Sequence, residues 1–139
     1  MNLFNVARIC LGIFYLVSCI FNLFHTLHNS QYLWTVCLEN AHFSFYKEFL
    51  KQIVIPNEKL IILLIVAFEF IVGLLILSEG FFVKIGLILA ILWVLFITPF
   101  LPFGDILGHL VLGTLQAILL MENYNTPFWE IIRIKIQRT

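Results

Sequence analysis

Four ionisable residues lie within or beside strongly apolar segments of this sequence: Arg8, Glu69, Asp105 and His109. A charged residue in a membrane helix costs about 2.5 to 3.5 kcal/mol, so each of them requires a structural or functional reason. A carboxylate or an imidazole in such a place can exchange protons or bind a polar ligand group, and a buried arginine can pair with a carboxylate. These residues are therefore candidates for a polar site.

The composition places that site in a membrane protein. Of the 139 residues, 62% are hydrophobic and 12% are charged, whereas globular domains contain about 25% charged residues. Lys plus Arg and Asp plus Glu number eight each, so the formal net charge is zero. This charge balance does not favour nucleic acid as a partner. We expect contact with the lipid bilayer, and with a membrane or redox protein or a second copy of this chain.

Four apolar segments are long enough, or nearly so, to cross a bilayer, which needs about 20 apolar residues per helix. They are 3–27, 60–77, 81–100 and 106–121. Pro99 and Pro102 end the third segment, because proline disrupts a helix and favours extended backbone before it. We therefore predict an all-α integral membrane four-helix bundle in which residues 1–139 form one domain.

The long connection 28–59 is too rich in aromatic residues for a solvated loop. Apolar residues recur at helical spacing from Phe45 to Ile53, with lysine, glutamate and glutamine opposite them, which predicts an amphipathic helix at the membrane interface. We expect Pro56 to end this helix and Asn57 to cap the second span. The segment 124–139 forms a basic amphipathic tail, and its pattern leaves helix and strand open.

Three of the spans each carry one stripe of polar and small residues, and such stripes are expected to turn inward. At 100° per residue, the stripe of the first span covers about 80° of arc. The stripes comprise Arg8, Gly12, Tyr15, Cys19 and Asn22 on the first span, Glu69 and Gly73 on the second, and Asp105, His109, Gly113 and Gln116 on the fourth.

The depths of these residues predict an ion pair and a cavity. Arg8 and Glu69 are about 6 Å apart in depth by helical rise, within reach of an arginine side chain. We therefore expect them to pair. Asn22, His25, Asp105 and His109 should gather in the other half of the bundle. We predict a polar cavity whose residues are Arg8, Glu69, Asp105, His109, Gln116 and Asn22. The alternative is structural: the buried charges only fix helix register, Asp105 caps its helix, and His109 hydrogen-bonds to Asp105.

Metal and haem sites find less support in the sequence. His25 and His109 could supply two haem ligands, and His28 could join them at a zinc ion, but no motif fixes their geometry. No two of the three cysteines have the spacing of a C-x-x-C pair. We interpret them as packing residues. Phosphate-loop, H-E-x-x-H and G-x-S-x-G motifs are absent, so we do not expect this chain to be an enzyme on its own.

Several residues also carry a likeness to a known family. They are Ala7-Arg8 with Leu11-Gly12, Glu69 with Gly73-Leu74-Leu75-Ile76-Leu77, and Gly80, Lys84 and Gly86. This pattern resembles the DoxX family of small four-helix bacterial membrane proteins, whose DoxD relatives are the membrane part of a thiosulfate:quinone oxidoreductase. The resemblance implies an accessory subunit of a membrane redox system, with a quinone-like ligand in the polar cavity. The alternative is a non-catalytic assembly or scaffold subunit that binds a partner membrane protein.

The basic residues predict the orientation of the chain. With four spans both termini lie on one side of the membrane, and basic residues favour the cytoplasmic side. The terminal side collects Arg8, Lys84, Arg133, Lys135 and Arg138, against Lys47, Lys51 and Lys59 on the other side. We therefore expect both termini in the cytoplasm and the protein in the bacterial inner membrane.

Overall fold

The computed structural model describes residues 3–128 and residue 130, and the regular structure of this part of the chain is helical. In chain order the α-helices of residues 3–121 are α1 (Leu3–Phe21), α2 (Ser30–Asn40), α3 (Ser44–Phe49), α4 (Glu58–Leu77), α5 (Gly80–Ile97) and α6 (Phe103–Leu120). The basic residues Arg133, Lys135 and Arg138 of the predicted tail lie outside the described residues.

Short turns of other helical types extend these helices. A π-helix at Asn22–Thr26 continues α1, and a 3-10 turn at Thr98–Phe100 continues α5. Between α3 and α4 the chain remains helical through Leu50–Val54, a π-helix, and Ile55–Asn57, a 3-10 turn. Four helical stretches are thus long and apolar enough to cross a membrane: Leu3–Thr26, Ser44–Leu77, Gly80–Phe100 and Phe103–Leu120. This confirms the predicted all-helical protein with four candidate membrane helices.

The connection between the first two spans differs from the prediction. It contains α2, which the sequence pattern did not indicate. Pro56 does not end the predicted interfacial helix; it lies in the 3-10 turn that leads into α4. Proline is tolerated there, because a backbone N–H in the first turn of a helix has no acceptor within the helix and its absence removes no hydrogen bond. The side chain of Asn57 makes no capping hydrogen bond to α4. Its Nδ2 instead donates to the carbonyl of Ile53 at 2.9 Å.

The predicted apolar face of this connection, which comprises Phe45, Phe49, Leu50 and Ile53, is buried only in part. Leu50 and Val54 are buried, whereas Phe45 and Ile53 are exposed. The buried pair packs with residues of α2 and with Phe100, so tertiary contacts rather than the solvent boundary decide which side turns inward.

The bundle is built by successive antiparallel neighbours, with α1 packed on α4, α4 on α5 and α5 on α6. The closest crossing joins α1 and α4 at two glycines. A Cβ atom added to Gly73 would lie 3.1 Å from the carbonyl oxygen of Gly12, and one added to Gly12 would lie 3.3 Å from that of Gly73. Glycine therefore permits this approach of the backbones, as small residues do in membrane helices. By contrast, α1 and α6 contact each other little.

The two ends of the bundle are tied by different segments. At one end, here called the Arg8 end, the amide of Gly80 donates to the carbonyl of Tyr124 at 2.5 Å. At the other, the loop-helix end, α2 and α3 pack over the ends of α4 and α5, and the amide of His42 donates to the carbonyl of Pro99 at 3.3 Å. Because α6 begins after Pro99, its first turn lies at the loop-helix end.

Candidate ligand-binding site

A cavity of about 600 Å³ lies between α1, α4, α5 and α6. Its polar lining comes from three helices: Tyr15 and Ser18 from α1, Glu69 from α4, and Asp105 and His109 from α6. The remaining lining residues are apolar or small: Phe14, Trp93, Val94, Gly104, Gly108 and Leu112. The structure thus brings Glu69, Asp105 and His109 of the sequence-predicted site to one cavity.

Two glycines of α6 leave the space for this cavity. A Cβ atom added to Gly104 or Gly108 would meet no heavy atom within 4 Å. They precede Asp105 and His109 directly in the sequence. Because α1 and α6 contact each other little, the gap beside these glycines is not closed by a neighbouring helix.

Glu69 is held by a chain of hydrogen bonds from the end of α1. Its side chain is buried, and Oε2 accepts a hydrogen bond from Nδ2 of Asn22 at 2.8 Å. Oδ1 of Asn22 in turn accepts from Oγ1 of Thr26 at 2.7 Å. Both donors belong to the π-helical segment Asn22–Thr26, a type of distortion often found at functional sites. Asn22 therefore positions the Glu69 carboxylate, although it does not itself line the cavity.

His109 is oriented by the backbone of its own helix. Nδ1 of His109 lies 3.2 Å from the carbonyl oxygen of Asp105, so the tautomer with its proton on Nδ1 donates to that oxygen and leaves Nε2 as an acceptor. The Asp105 carboxylate is not the partner in this contact. Asp105 lies in the first turn of α6 and is not its capping residue. In the first turn the helix dipole stabilises a negative charge.

Gln116 supports the cavity from behind. It is fully buried, and its Nε2 donates to Oη of Tyr15 at 3.0 Å. Because the tyrosine oxygen accepts this bond, its own O–H stays available as a donor. Oε1 of Gln116 has no hydrogen-bond partner among the described residues.

Arg8 lies apart from the cavity, and the predicted ion pair is wrong. Its Nη1 donates to the carbonyl of Ser78 at 2.8 Å and its Nη2 to the carbonyl of Thr126 at 3.1 Å. The guanidinium carbon lies 4.8 Å from the centre of the Tyr124 ring. Within residues 3–128, no ion pair joins Arg8 to Glu69. The reason is direction: helical side chains lean toward the N-terminus of their own helix, so on antiparallel α1 and α4 these two lean apart.

Tyr124 completes the arrangement at the Arg8 end. Its hydroxyl donates to the carbonyl of Leu119 at 2.9 Å. Burial raises the pKa of Tyr124 above its usual value, and the positive charge of Arg8 offsets part of that rise while Glu122 adds to it. The neutral phenol is therefore the form that this site favours.

Some lining residues escaped the sequence-based prediction. Ser18 lies three residues after Tyr15 and four before Asn22, and this helical spacing would have placed it on the polar stripe. Trp93 lies on the third span, for which the sequence predicted no polar stripe. The aromatic connection between the first two spans does not contribute to this cavity: Trp34 lines a separate apolar cavity, and Phe45 is exposed.

The other histidines are placed differently. The ring of His25 stacks on that of Phe21 with a centroid distance of 4.7 Å. Across the described ranges, no group of three or more His, Cys, Asp and Glu side chains is arranged to hold a metal ion. The polar groups of the cavity instead suit hydrogen bonds to an organic ligand.

Comparisons with known proteins identify no relative of this chain. No protein-family model, curated protein or solved structure matches this chain.

Proposed function

We propose that this chain binds a quinone-like ligand in the cavity between α1 and α6 and serves as an accessory subunit of a redox system in the bacterial inner membrane. The observation that carries the proposal is the convergence of Tyr15, Glu69, Asp105 and His109 on one cavity in a bundle of four apolar helices. A large pocket with a few convergent polar groups is the usual form of a small-molecule site. The resemblance to the DoxX family points to the same class of ligand.

The polar groups of the cavity match both redox forms of a quinone. A quinone carries carbonyl acceptors, for which the O–H groups of Tyr15 and Ser18 are donors. A quinol carries hydroxyl donors, for which Nε2 of His109 and the carboxylates of Glu69 and Asp105 are acceptors. The apolar lining, including Phe14 and Trp93, suits the ring and its chain.

An accessory role follows from what these side chains can do. Glu69 and His109 can exchange protons with a bound quinol, and the Asn22 hydrogen bond keeps the Glu69 carboxylate in place. Electrons would be delivered to the ligand, or removed from it, by a partner redox protein. We therefore place this chain beside such a protein rather than assigning it an activity of its own.

Ligand titration of the purified protein tests the proposal. Short-chain ubiquinone and menaquinone analogues are titrated by calorimetry into wild type, His109→Leu and Gly108→Leu, all in the same detergent. His109→Leu removes one polar group, whereas Gly108→Leu fills the cavity without removing any, and each should weaken binding at least tenfold. His25→Leu is the matched control, because His25 is stacked on Phe21 and does not line the cavity.

Two outcomes would contradict the proposal. If both cavity variants remain folded and bind as tightly as wild type, the ligand lies elsewhere. If wild type binds none of the quinones, the scaffold role, in which a partner protein is bound without a ligand, becomes the better account.

A further inference from the structure

The cavity between α1, α4, α5 and α6, here called the polar cavity, contains negative charge that no basic side chain balances. Glu69 and Asp105 both line it, and among the described residues no lysine or arginine does so. Arg8, the buried cation of α1, donates instead to the carbonyl groups of Ser78 and Thr126. Removing a carboxylate from water is costly unless an opposite charge lies beside it. The polar cavity therefore has two acidic groups and lacks a cation.

Glu69 presents one of its two oxygens to this cavity without a partner. The side chain is only 6% exposed, and its Oε2 accepts a hydrogen bond from Asn22. Its Oε1 accepts none from the described residues, yet it is not enclosed by protein atoms. Because Glu69 lines the cavity, this oxygen is available to a ligand. A charged acceptor in such a place favours a ligand that carries a positive charge.

The two carboxylates lie at different depths. Asp105 is exposed in the first turn of α6, at the loop-helix end. Glu69 is eleven residues from Glu58, the first residue of α4, which is about 16 Å of helical rise. Negative charge thus stands both near the membrane boundary and in the interior. Such an arrangement raises the local concentration of a cation and then holds it.

Aromatic side chains indicate that the cation is an organic one. Phe14, Tyr15 and Trp93 line the same cavity, and aromatic rings attract cations through the negative charge of their faces. A metal ion is matched less well, because across the described ranges no group of three or more His, Cys, Asp and Glu side chains is arranged to hold one. Carboxylates combined with aromatic rings suit an ammonium group that carries apolar substituents.

We propose that the polar cavity binds an organic ammonium ion, with its charge beside Glu69 and its apolar substituents against Phe14 and Trp93. The cavity volume of about 600 Å³ lies within the range for ligand pockets, about 300 to 1,000 Å³. The cation site does not depend on the quinone proposal, because a neutral quinone would use the O–H groups of Tyr15 and Ser18, whereas the cation uses the carboxylates. The two ligands would exclude each other.

A pair of aromatic ions of similar size tests the sign of the charge. Benzyltrimethylammonium and benzenesulfonate are titrated by calorimetry into wild type in an uncharged detergent, at one concentration of sodium chloride. Wild type should bind the cation at least tenfold more tightly than the anion, because the carboxylates attract one and repel the other. Equal affinity for the two ions, or no binding of the cation, would overturn the proposal.

Charge-removing variants test the location. Glu69→Gln retains an oxygen that accepts from Asn22 and should weaken cation binding at least tenfold, and Asp105→Asn should weaken it about threefold. Asp105 is exposed, so its variant supplies a test even if Glu69→Gln does not fold. The matched control is Glu39→Gln, an exposed carboxylate on α2 that does not line the cavity, and it should bind as wild type does. Unchanged affinity in every cavity variant that folds would overturn the proposal.

A second matched pair tests the aromatic contribution. Phe14→Leu should weaken cation binding about two- to fivefold, whereas Phe45→Leu, at another exposed phenylalanine that does not line the cavity, should not. Equal effects of these two variants would contradict the proposed site. Quinone titrations of the same preparations keep the two proposals apart. Binding of the cation without any quinone would overturn only the proposed function, and binding of a quinone without the cation would overturn only the cation site.

Discussion

Arg8 is held by carbonyl oxygens rather than by a carboxylate. Its two hydrogen bonds reach Ser78, at the end of α4, and Thr126, beyond α6. Hydrogen bonds to a charged donor contribute about 1.5 to 3 kcal/mol each, and the Tyr124 ring adds a cation–π contact. One buried side chain thus links α1 to the ends of two other spans.

A double-mutant cycle distinguishes this arrangement from an ion pair. Glu69 precedes Ser78 by nine residues of α4, or about 13 Å of helical rise, so Arg8 and Glu69 share no partner. Arg8→Gln should destabilise the protein by about 2 to 4 kcal/mol, because carbonyl groups are left unpaired. Glu69→Gln should cost less, since an amide oxygen can still accept from Asn22. The double variant should equal the sum of the two within about 0.5 kcal/mol.

The measurement is chemical or thermal unfolding in one detergent for all four proteins. A coupling energy above about 1 kcal/mol would mean that the two side chains interact directly.

The error in the ion-pair prediction has a definite physical origin. Helical rise estimates the depths of Arg8 and of Glu69 along their helices, but depth does not specify where a long side chain ends. Side-chain direction reverses between antiparallel helices, and the competing acceptors at Ser78 and Thr126 lie outside the spans on which the prediction was based. The residues of the polar cavity were easier to anticipate, because Asp105 and His109 follow one another at helical spacing beside small residues.

At the scale of elements, close helix crossings depend on particular glycines. The α1–α4 crossing brings the backbones of Gly12 and Gly73 together. The crossing of α4 and α5 depends on Gly86, where an added Cβ would lie 3.0 Å from the backbone nitrogen of Ile76. At Gly113 the nearest atom is a side-chain carbon of Val94 at 3.4 Å, which is ordinary contact.

These distances predict different costs for the same substitution. Gly86→Ala and Gly73→Ala should each destabilise the protein by about 1 to 3 kcal/mol, because the neighbouring helix must move to accommodate the methyl group. Gly113→Ala, on α6, is the matched control and should change stability by less than about 0.5 kcal/mol. Melting temperatures in detergent rank the three variants. An equal gain at all three positions would mean that the higher helix propensity of alanine, rather than close approach of the helices, decides the effect.

Apolar length and small-residue stripes were sufficient to predict the spanning helices, because the bilayer fixes how many residues a helix needs. The same reasoning failed between α1 and α4. Pro56 was expected to end a helix, but its position in the first turn is compatible with continuing one. The helix α2 has no strong amphipathic pattern, and it is positioned by burial of Trp34 and Cys37 against α4 and α5.

At the scale of the whole molecule, the two ends of the bundle are chemically different. The Arg8 end is closed by hydrogen bonds between the α4–α5 turn and the segment after α6. The loop-helix end contains α2 and α3 and the first turn of α6, and both cavities lie toward it. The side of the membrane that this end faces therefore determines from which compartment a ligand group could enter.

The distribution of basic residues predicts that the loop-helix end faces outward. In a variant whose three cysteines are replaced by alanine, Gln31→Cys on exposed α2 should label with an impermeant maleimide in intact cells, whereas Asn123→Cys after α6 should label only after permeabilisation. Cys37 itself should contribute little background labelling, because burial raises the pKa of its thiol to about 11 and little of it is present as the reactive thiolate.

The reverse labelling pattern would place both termini outside, and it would turn both cavities toward the cytoplasm. In that case a cytoplasmic partner would have direct access to His109. Under the proposed function and in the orientation predicted here, protons exchanged by Glu69 and His109 would come from the outer side. A partner redox protein would then have to reach a bound quinone from that side or through the spans themselves.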